Sequence, residues 1–393
     1  MTRVRHRRMW ATAVLAVALG LVGAACGSDD GGEVRTIDES GSGSGSGSGS
    51  ASGSGSASAS GIESGSGSAS GTDQGVVTAF GGYLPVSEVT AHARVSLDMC
   101  DIDELLPKDR PIDADGIRRL YEEGEHSEKG DGAARTIAGF SRSERDEAIW
   151  NDFAGWYGDP TWLDSFVMSA IDGTGAFAGE SDLVRRQGVQ KGIQNQVMIA
   201  WTFHELVAAL DKAGAGDFDL ASGAPHSWDE GWAFYHGEAP DCAPFATADK
   251  RGGNFGKGSA VNDALLETFI RGREALVAGD AAVAEEAVAE IKRLITITYV
   301  QATIRYGAVI DKALAAGDDD GARVAQAEGW AFYRVIEPFV GAADGDAADA
   351  IRARYDLSVG PPRTGSGAAI AAAISSTYDT LGIDPAEIGE LAP

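Results

Sequence analysis

Apolar residues recur every three to four positions from about residue 87 onward, which is the period of helices that bury one face. No stretch alternates apolar and polar residues between turn signals, so strands are expected to be minor or absent. The pattern predicts an all-α helical bundle. The expected helices cover residues 87–106, 113–123, 143–157, 161–171, 180–213, 227–237, 259–278, 281–315, 322–340, 347–355 and 368–381.

The N-terminal part of the chain departs from this pattern. Residues 1–25 carry four arginines and then a short apolar run, which is typical of a signal peptide and shorter than the ~20 residues of a membrane span. Residues 26–75 hold an acidic patch and a Gly/Ser/Ala repeat, the composition of a flexible tether. We therefore expect residues 76–393 to form the folded domain.

Cys26 follows the small residues that end the apolar run. This arrangement resembles the lipobox of bacterial lipoproteins, although Gly23 stands where that motif prefers Leu. The resemblance implies an extracytoplasmic protein anchored to the membrane by a lipid on Cys26. The alternative is an ordinary signal peptide that is cut nearby and leaves a free cysteine.

The formal net charge of −27 argues against nucleic acid and against anionic membrane surfaces as partners. A strongly acidic protein attracts cations, although most of these carboxylates are expected to be solvated surface. Besides Cys26, the chain has Cys100 and Cys242. In an oxidising compartment such a pair predicts a disulfide, with two buried thiols as the alternative.

An internal repeat is the most informative feature of the folded part. The hexapeptide EGWAFY begins at Glu230 and again at Glu328, about 98 positions later. Similar long helices precede both copies, so regions 180–240 and 281–340 predict a duplicated helical subdomain of about 100 residues. Trp232 and Trp330 are expected in the core.

The two repeated glutamates allow two interpretations. Ser227 and Glu230 have the spacing of a capping box, which would make Glu230 a helix-start residue. Glu328 has no such serine partner, and its repetition beside three aromatic residues suggests an inward-facing carboxylate instead. Both interpretations remain open from the sequence.

The first copy is also rich in side chains that bind metals, whereas the second has Ile304, Arg305, Ala327 and Arg334 at the corresponding positions. Imidazole, phenol and carboxylate suit Fe(III), Mn(II) or Zn(II). The H-E-x-x-H zinc motif is absent, and each histidine alone could be a surface or capping residue. The candidate metal ligands are His204, Glu205, His226, Asp229, Glu230, Tyr235, His236, Glu328 and Tyr333.

Several short motifs, in this order, resemble the algal low-iron-inducible iron-assimilation proteins, which are related to phytotransferrins. The motifs are Tyr83-Leu-Pro-Val-Ser87, Ser96-Leu-Asp98, Arg119-Leu-Tyr-Glu-Glu-Gly124, Arg186-Gln-Gly-Val-Gln-Lys-Gly192, the segment from His226 to Gly237, and Lys250-Arg-Gly-Gly-Asn-Phe255. The resemblance implies capture of ferric iron at the cell surface and delivery to an iron permease. It also makes carbonate a candidate co-ligand, with Arg251 as the candidate anion-binding residue. The lipobox and the tether depart from the algal pattern.

The resemblance implies a protein without a catalytic step of its own. Two other classes remain as alternatives, an extracytoplasmic metal-dependent hydrolase and a solute-binding or scaffold lipoprotein. No nucleophile elbow, Walker A or reactive-cysteine motif supports the enzyme.

Overall fold

A computed structural model describes residues 79–130 and 132–392. Cys26, the predicted signal peptide and the predicted tether lie outside the described residues. The prediction of an all-α fold is confirmed, because the described residues contain no strand and extended pairing is limited to the isolated bridges Phe80–Tyr83 and Glu128–Ala134.

The helices differ in length from one turn to almost ten turns. A π-helical segment (Gly192–Val197) joins α7 to α8, and short 3-10 helices cover Gly175–Phe177 and Pro240–Cys242. The α-helices are α1 (Thr90–Ala93), α2 (Val95–Glu104), α3 (Ala114–Glu123), α4 (Ile137–Ser141), α5 (Ala148–Tyr157), α6 (Trp162–Asp172), α7 (Asp182–Lys191), α8 (Met198–Gly214), α9 (Ala224–His236), α10 (Pro244–Asn254), α11 (Ala260–Val277), α12 (Ala281–Ala315), α13 (Asp319–Tyr333), α14 (Glu337–Ala343), α15 (Gly345–Tyr355), α16 (Ser366–Ser375), α17 (Tyr378–Leu381) and α18 (Pro385–Ile388).

Two helical hairpins form the centre of the bundle. In the first, α7, the π segment and α8 make one long helix that packs against α9. In the second, α12 packs against α13. The turns match, since Asp217 N donates to Lys212 O and Asp318 N donates to Ala313 O, each at 2.9 Å. The hairpins coincide with the two predicted repeats; the duplication itself stays a prediction.

The start of α9 differs from the sequence prediction. The helix begins at Ala224 with Pro225 in its first turn, where the missing N–H of proline costs nothing. Ser227 is therefore inside the helix and buried, and the predicted capping box with Glu230 is wrong. Glu230 lies more than one turn into the helix with its side chain only 11% exposed, which agrees with the inward-facing interpretation.

Aromatic packing fixes the rotation of α9 about its axis. Trp228, Trp232 and Tyr235, spaced by four and then three residues, lie on one buried face of the helix. Trp232 packs on Phe269 of α11 with ring centroids 5.1 Å apart. Glu230 follows Trp228 by two positions and therefore lies on a different face of α9. That face is directed toward α1 and α8.

The segments after the two hairpins also belong to the bundle. Asp311 of α12 accepts hydrogen bonds from the backbone N–H groups of Ser366 and Gly367, which attaches the start of α16. Cys100 and Cys242 form a disulfide with their Cα atoms 5.4 Å apart, so α2 is joined to the 3-10 helix that follows α9. Helix α10 lies between the expected helices 227–237 and 259–278, where the sequence pattern predicts no helix.

Candidate metal centre

The carboxylate of Glu230 lies between two imidazoles. Its Oε1 atom is 3.1 Å from His226 Nε2 and 3.1 Å from His92 Nδ1. His226 precedes Glu230 by four residues on α9, which places both side chains on one face of the helix. His92 comes from α1, which is packed on α9 through Val89, Ala93 and Ala233. These three side chains are 11–21% exposed.

A second carboxyl group faces Glu230 from α8. The Glu205 side chain is 8% exposed and shares a hydrogen bond with Glu230. Two carboxyl groups can share such a bond only if one carries a proton. Burial, together with the negative charge of Glu230, raises the pKa of Glu205 well above its ordinary value. Glu205 therefore holds a proton more tightly than Glu230 does.

Glu230 is the ionised partner of the pair. Burial alone would raise its pKa, but the hydrogen bond with His226 and the electrostatic interaction with His92 lower it to about 2. Burial lowers the pKa of His92 to about 4, so this imidazole is neutral at pH 7 and has the form that binds metals. The arrangement combines neutral imidazole with buried carboxylate.

The row of contacts continues from Glu205 to His204 and Glu147. His204 Nε2 is 3.9 Å from Glu205 Oε1, and His204 Nδ1 is 2.5 Å from Glu147 Oε1. Glu147 is the N-cap residue of α5. Its other oxygen, Oε2, is buried and has no hydrogen-bond partner. We use the name buried cluster for His92, Glu147, His204, Glu205, His226 and Glu230.

Asp229 supports the buried cluster from outside. Its Oδ2 accepts hydrogen bonds from the Ser87 hydroxyl and from the backbone N–H groups of Val86 and Ser87, and its Oδ1 accepts from Tyr83. Ser87 Oγ in turn lies 2.9 Å from His226 Nδ1. Ser87 Oγ, whose proton goes to Asp229, therefore links Asp229 to the imidazole of His226. Asp229 thus orients a ligand and has its own oxygens occupied.

The family model described as low iron-inducible periplasmic protein (Fea1) matches residues 59–392. The chain belongs to this low iron-inducible periplasmic protein family. Searches of curated proteins and of solved structures give no match. Within the residues that the structure describes, no helix is long and apolar enough to cross a membrane.

Tyr235 and His236, which the sequence predicts as metal ligands, make their contacts elsewhere in the fold. Tyr235 is fully enclosed and bonds to Asn262 Oδ1 at 2.5 Å, while His236 Nδ1 is 2.8 Å from the backbone oxygen of Gly237. Burial raises the pKa of Tyr235 well above 10, which opposes the tyrosinate that a metal requires. The structure therefore gives both side chains contacts other than those of the buried cluster.

The remaining predicted residues lie in the second repeat or contact it. Glu328 accepts a hydrogen bond from Tyr306 at 2.6 Å and lies 3.7 Å from Lys191 Nζ. Arg251, the candidate anion-binding residue, donates to the same Tyr306 hydroxyl at 3.1 Å. Tyr333 bonds to the backbone oxygen of Ala348. Glu328 thus lies beside a tyrosine and a lysine, whereas Glu230 lies between two imidazoles.

Sequence reasoning missed His92 and Glu147. His92 lies on the short helix α1, and Glu147 lies at the start of α5. No metal-binding sequence motif relates either position to the residues of α9. The available signal for His92 was scarcity, because the chain has six histidines. Five of them lie in the expected folded domain, so each of the five was a candidate ligand.

A second, exposed group of ligands lies at the end of α2. Asp101, Glu125 and His126 each offer one ligand atom, and these atoms lie within 4.8 Å of one another. Residues 79–130 and 132–392 contain no other group of three donors whose ligand atoms lie this close together. The donors of the buried cluster contact one another in pairs instead. Glu125 is already paired with Arg119 at 2.6 Å, and we interpret the exposed group as surface ion pairs.

Proposed function

We propose that this protein captures ferric iron outside the cytoplasm at the buried cluster and supports iron uptake by passing the metal to a permease. The observation that carries the proposal is the position of Glu230 Oε1, 3.1 Å from both His92 Nδ1 and His226 Nε2 and opposite the Glu205 carboxyl group. Carboxylate and imidazole are suitable ligands for iron. The family is named for induction by low iron, which supports the choice of metal.

The energetics of the buried carboxyl pair also support metal binding. Keeping Glu205 and Glu230 side by side away from water is unfavourable unless a proton or a cation lies between them. An iron ion would replace the proton on Glu205 and gain both carboxylates as ligands. Supporting hydrogen bonds of the Ser87–Asp229 kind are typical of ligands that are held in place before the metal binds.

A carbonate co-ligand is part of the proposal, and Arg145 is better placed for it than Arg251. The guanidinium of Arg145 lies over the ring of Trp201 at 4.8 Å from its centroid, and its charge acts on Glu205. Its Nε is buried without a hydrogen-bond partner. An anion bound beside the iron would supply that partner.

The lipid anchor on Cys26 remains a proposal from the sequence. Together with the 26–75 tether it would hold the iron-binding domain near the membrane and its permease. A binding protein of this kind has no need of a catalytic step.

The test is a titration of the full chain with Fe(III) supplied as a weak chelate, with and without bicarbonate, followed by metal analysis. The wild-type protein should bind iron without a visible tyrosinate band, since the cluster contains no tyrosine. Glu230→Gln should weaken binding by at least about 10- to 100-fold. Glu238→Gln is the matched control, because Glu238 follows the same helix but is exposed and paired with Arg94.

Two outcomes would contradict the proposal. A folded wild-type protein that binds no iron would remove the capture function and favour the solute-binding or scaffold alternative. Equal loss of iron in Glu230→Gln and Glu238→Gln would mean that the metal is not held at the buried cluster. Loss of the bicarbonate effect in Arg145→Gln, with binding otherwise retained, would support the anion position.

A further inference from the structure

We propose that the cleft between α5, α12, α14 and α17 binds a small zwitterion with an apolar body, of the class of aromatic or large aliphatic α-amino acids. The carboxylate of the ligand would pair with Lys292 and its ammonium with Asp152, which both line the cleft. The cleft shares no lining residue with the buried cluster. The inference therefore goes beyond iron binding and does not depend on it.

The size and the walls of the cleft suit a small organic molecule. Its volume is about 640 Å³, within the range of about 300–1,000 Å³ that is usual for sites of small ligands. Trp156 of α5, Phe339 of α14 and Leu381 of α17 form apolar walls, and the small side chain of Ala289 on α12 leaves the space between them open. Such sites combine apolar walls with a few polar groups that orient the ligand.

The two aromatic walls are held in place by their neighbours. A Cβ atom at Gly341 would lie 2.1 Å from Trp156 Cη2, so the indole can occupy this position only because residue 341 is glycine. The guanidinium of Arg352 lies over the indole at 4.9 Å from the ring centroid. The ring of Phe339 packs edge-on against Phe153 with centroids 5.3 Å apart. A ligand would therefore meet walls that are already ordered, which lowers the entropic cost of binding.

The cleft presents one cation and one anion that have no ion-pair partner. Within residues 79–130 and 132–392, neither Lys292 nor Asp152 forms an ion pair. Arg293, which also lines the cleft, is by contrast paired with Glu290 at 2.7 Å and with Glu387 at 2.6 Å. Lys292 is consequently the cation of the cleft that remains available to a ligand.

The ammonium of Lys292 is directed by an aromatic ring. It lies over Phe339 at 4.0 Å from the ring centroid, a cation–π contact that holds it at the wall. Burial lowers the pKa of Lys292, and the negative charge of Asp152 opposes that shift, so the two groups interact across the cleft without pairing. A ligand carboxylate would supply the opposite charge that this partly desolvated ammonium lacks.

The balance of charge selects a zwitterion over a simple acid or amine. The carboxylates of Asp152, Glu290 and Glu387 outnumber the cations Lys292 and Arg293 at the cleft. An organic acid would gain Lys292 but would be repelled by the unpaired Asp152. An amine would gain Asp152 but would be repelled by Lys292. A ligand that carries both charges can pair with both groups and adds no net charge.

The experiment is isothermal titration calorimetry of the full chain with L-phenylalanine and L-leucine as probes. At least one of them should bind with a stoichiometry of one. For L-phenylalanine the comparison ligands are 3-phenylpropionate, which lacks the ammonium, and phenethylamine, which lacks the carboxylate. Each should bind at least about 5-fold more weakly, the factor that corresponds to one partly exposed ion pair.

Variants of the two charged residues assign the contacts. Lys292→Gln should weaken the amino acid by at least about 5-fold and should not weaken phenethylamine. Asp152→Asn should likewise weaken the amino acid and should not weaken 3-phenylpropionate. Lys312→Gln is the matched control, because Lys312 is an exposed lysine on the same helix outside the cleft, and its affinity should equal that of wild type.

A filled cleft gives a test that does not remove a charge. Ala289→Trp should abolish binding by occupying the cleft, whereas Ala282→Trp, at an exposed alanine two turns earlier on α12 and outside the cleft, should leave it unchanged. Both alanines are exposed, so neither variant should disturb the core, and circular dichroism would verify the fold.

Three results would overturn the proposal. One is that the folded wild-type protein binds neither amino acid at millimolar concentration. Another is that 3-phenylpropionate or phenethylamine binds as tightly as L-phenylalanine, because one of the two ion pairs would then be absent. The third is equal affinity in wild type and Lys292→Gln. Glu230→Gln should bind the amino acid as wild type does, so failure of iron binding and failure of this site are distinguished.

Discussion

The hydroxyl oxygen of Ser87 lies 2.9 Å from His226 Nδ1, and through this contact a loop near the start of the described chain controls a side chain 139 residues later. The same hydroxyl donates to Asp229 at 2.9 Å. The imidazole is therefore held in one orientation before any metal binds. Loss of that hydrogen bond should weaken both metal binding at the buried cluster and the fold.

The first prediction concerns Ser87→Ala. Removing the hydroxyl leaves His226 Nδ1 and one bond of Asp229 unsatisfied, so iron affinity should fall about 10- to 100-fold, as for other supporting groups of metal ligands. The free energy of unfolding should fall by about 1–3 kcal/mol. Competition titration with a chelator measures the first and urea denaturation the second. Ser375→Ala is the control, because that exposed hydroxyl bonds only to Ala372 O, and it should leave affinity unchanged. Equal affinities in both variants would contradict the orienting role.

The second prediction concerns the packing that fixes α9. A Cβ atom at Gly272 would lie 1.9 Å from Trp228 Cζ2, which no real contact allows. Gly272→Ala should therefore destabilise the protein by about 1–3 kcal/mol and displace the helix that carries His226 and Glu230. Gly253→Ala is the matched control within a helix, since its Cβ would meet no atom within 4 Å. The control should be neutral or stabilising by up to about 1 kcal/mol. Thermal or urea denaturation of both variants provides the comparison.

The third prediction concerns the exposed pair of His126 and Asp101, whose Nε2 and Oδ2 atoms are 2.7 Å apart. The hydrogen bond that His126 donates to Asp101 raises the pKa of His126 above its ordinary value of about 6.5. The pair therefore stabilises the fold fully below about pH 6.5, and that contribution is lost as the pH rises through the folded-state pKa. NMR titration of the imidazole should show a midpoint above about 6.5 in wild type and a lower one in Asp101→Asn. An unchanged midpoint in the variant would contradict the assignment.

Helical periodicity explains which parts of the site were predictable. His226 and Glu230 are four residues apart on one helix, so their shared face follows from the sequence. The same reasoning places Tyr235 on the face of Trp228 and Trp232, which argues against it as a ligand beside Glu230. Proximity along the chain alone groups Tyr235 and His236 with His226 and Glu230, and that grouping ignores the faces of the helix.

Tertiary packing determined the rest of the site. His92 reaches Glu230 only because α1, a helix of one turn, packs on α9 through Val89 and Ala93. Glu147 reaches His204 because it caps α5 at a point where that helix crosses α8. No local spacing encodes either contact. The all-α fold and the 281–315 helix, in contrast, follow from apolar periodicity that extends over many turns.

The last prediction links metal binding to stability. An ion that binds the folded chain and not the unfolded one stabilises it by about 2.7 kcal/mol when its free concentration is 100 times Kd. Addition of Mn²⁺ should therefore raise the melting temperature of wild type and of Glu238→Gln, whose exposed carboxylate lies outside the cluster. Glu230→Gln should show little or no rise in melting temperature. The variant should still fold, because Glu205 can keep its proton when Glu230 loses its charge. Differential scanning calorimetry with and without a chelator measures all three proteins. A bound ion stabilises the protein only through the ligands that the folded state holds together. A similar rise in the melting temperature of Glu230→Gln would therefore place the stabilising ion elsewhere on this acidic protein.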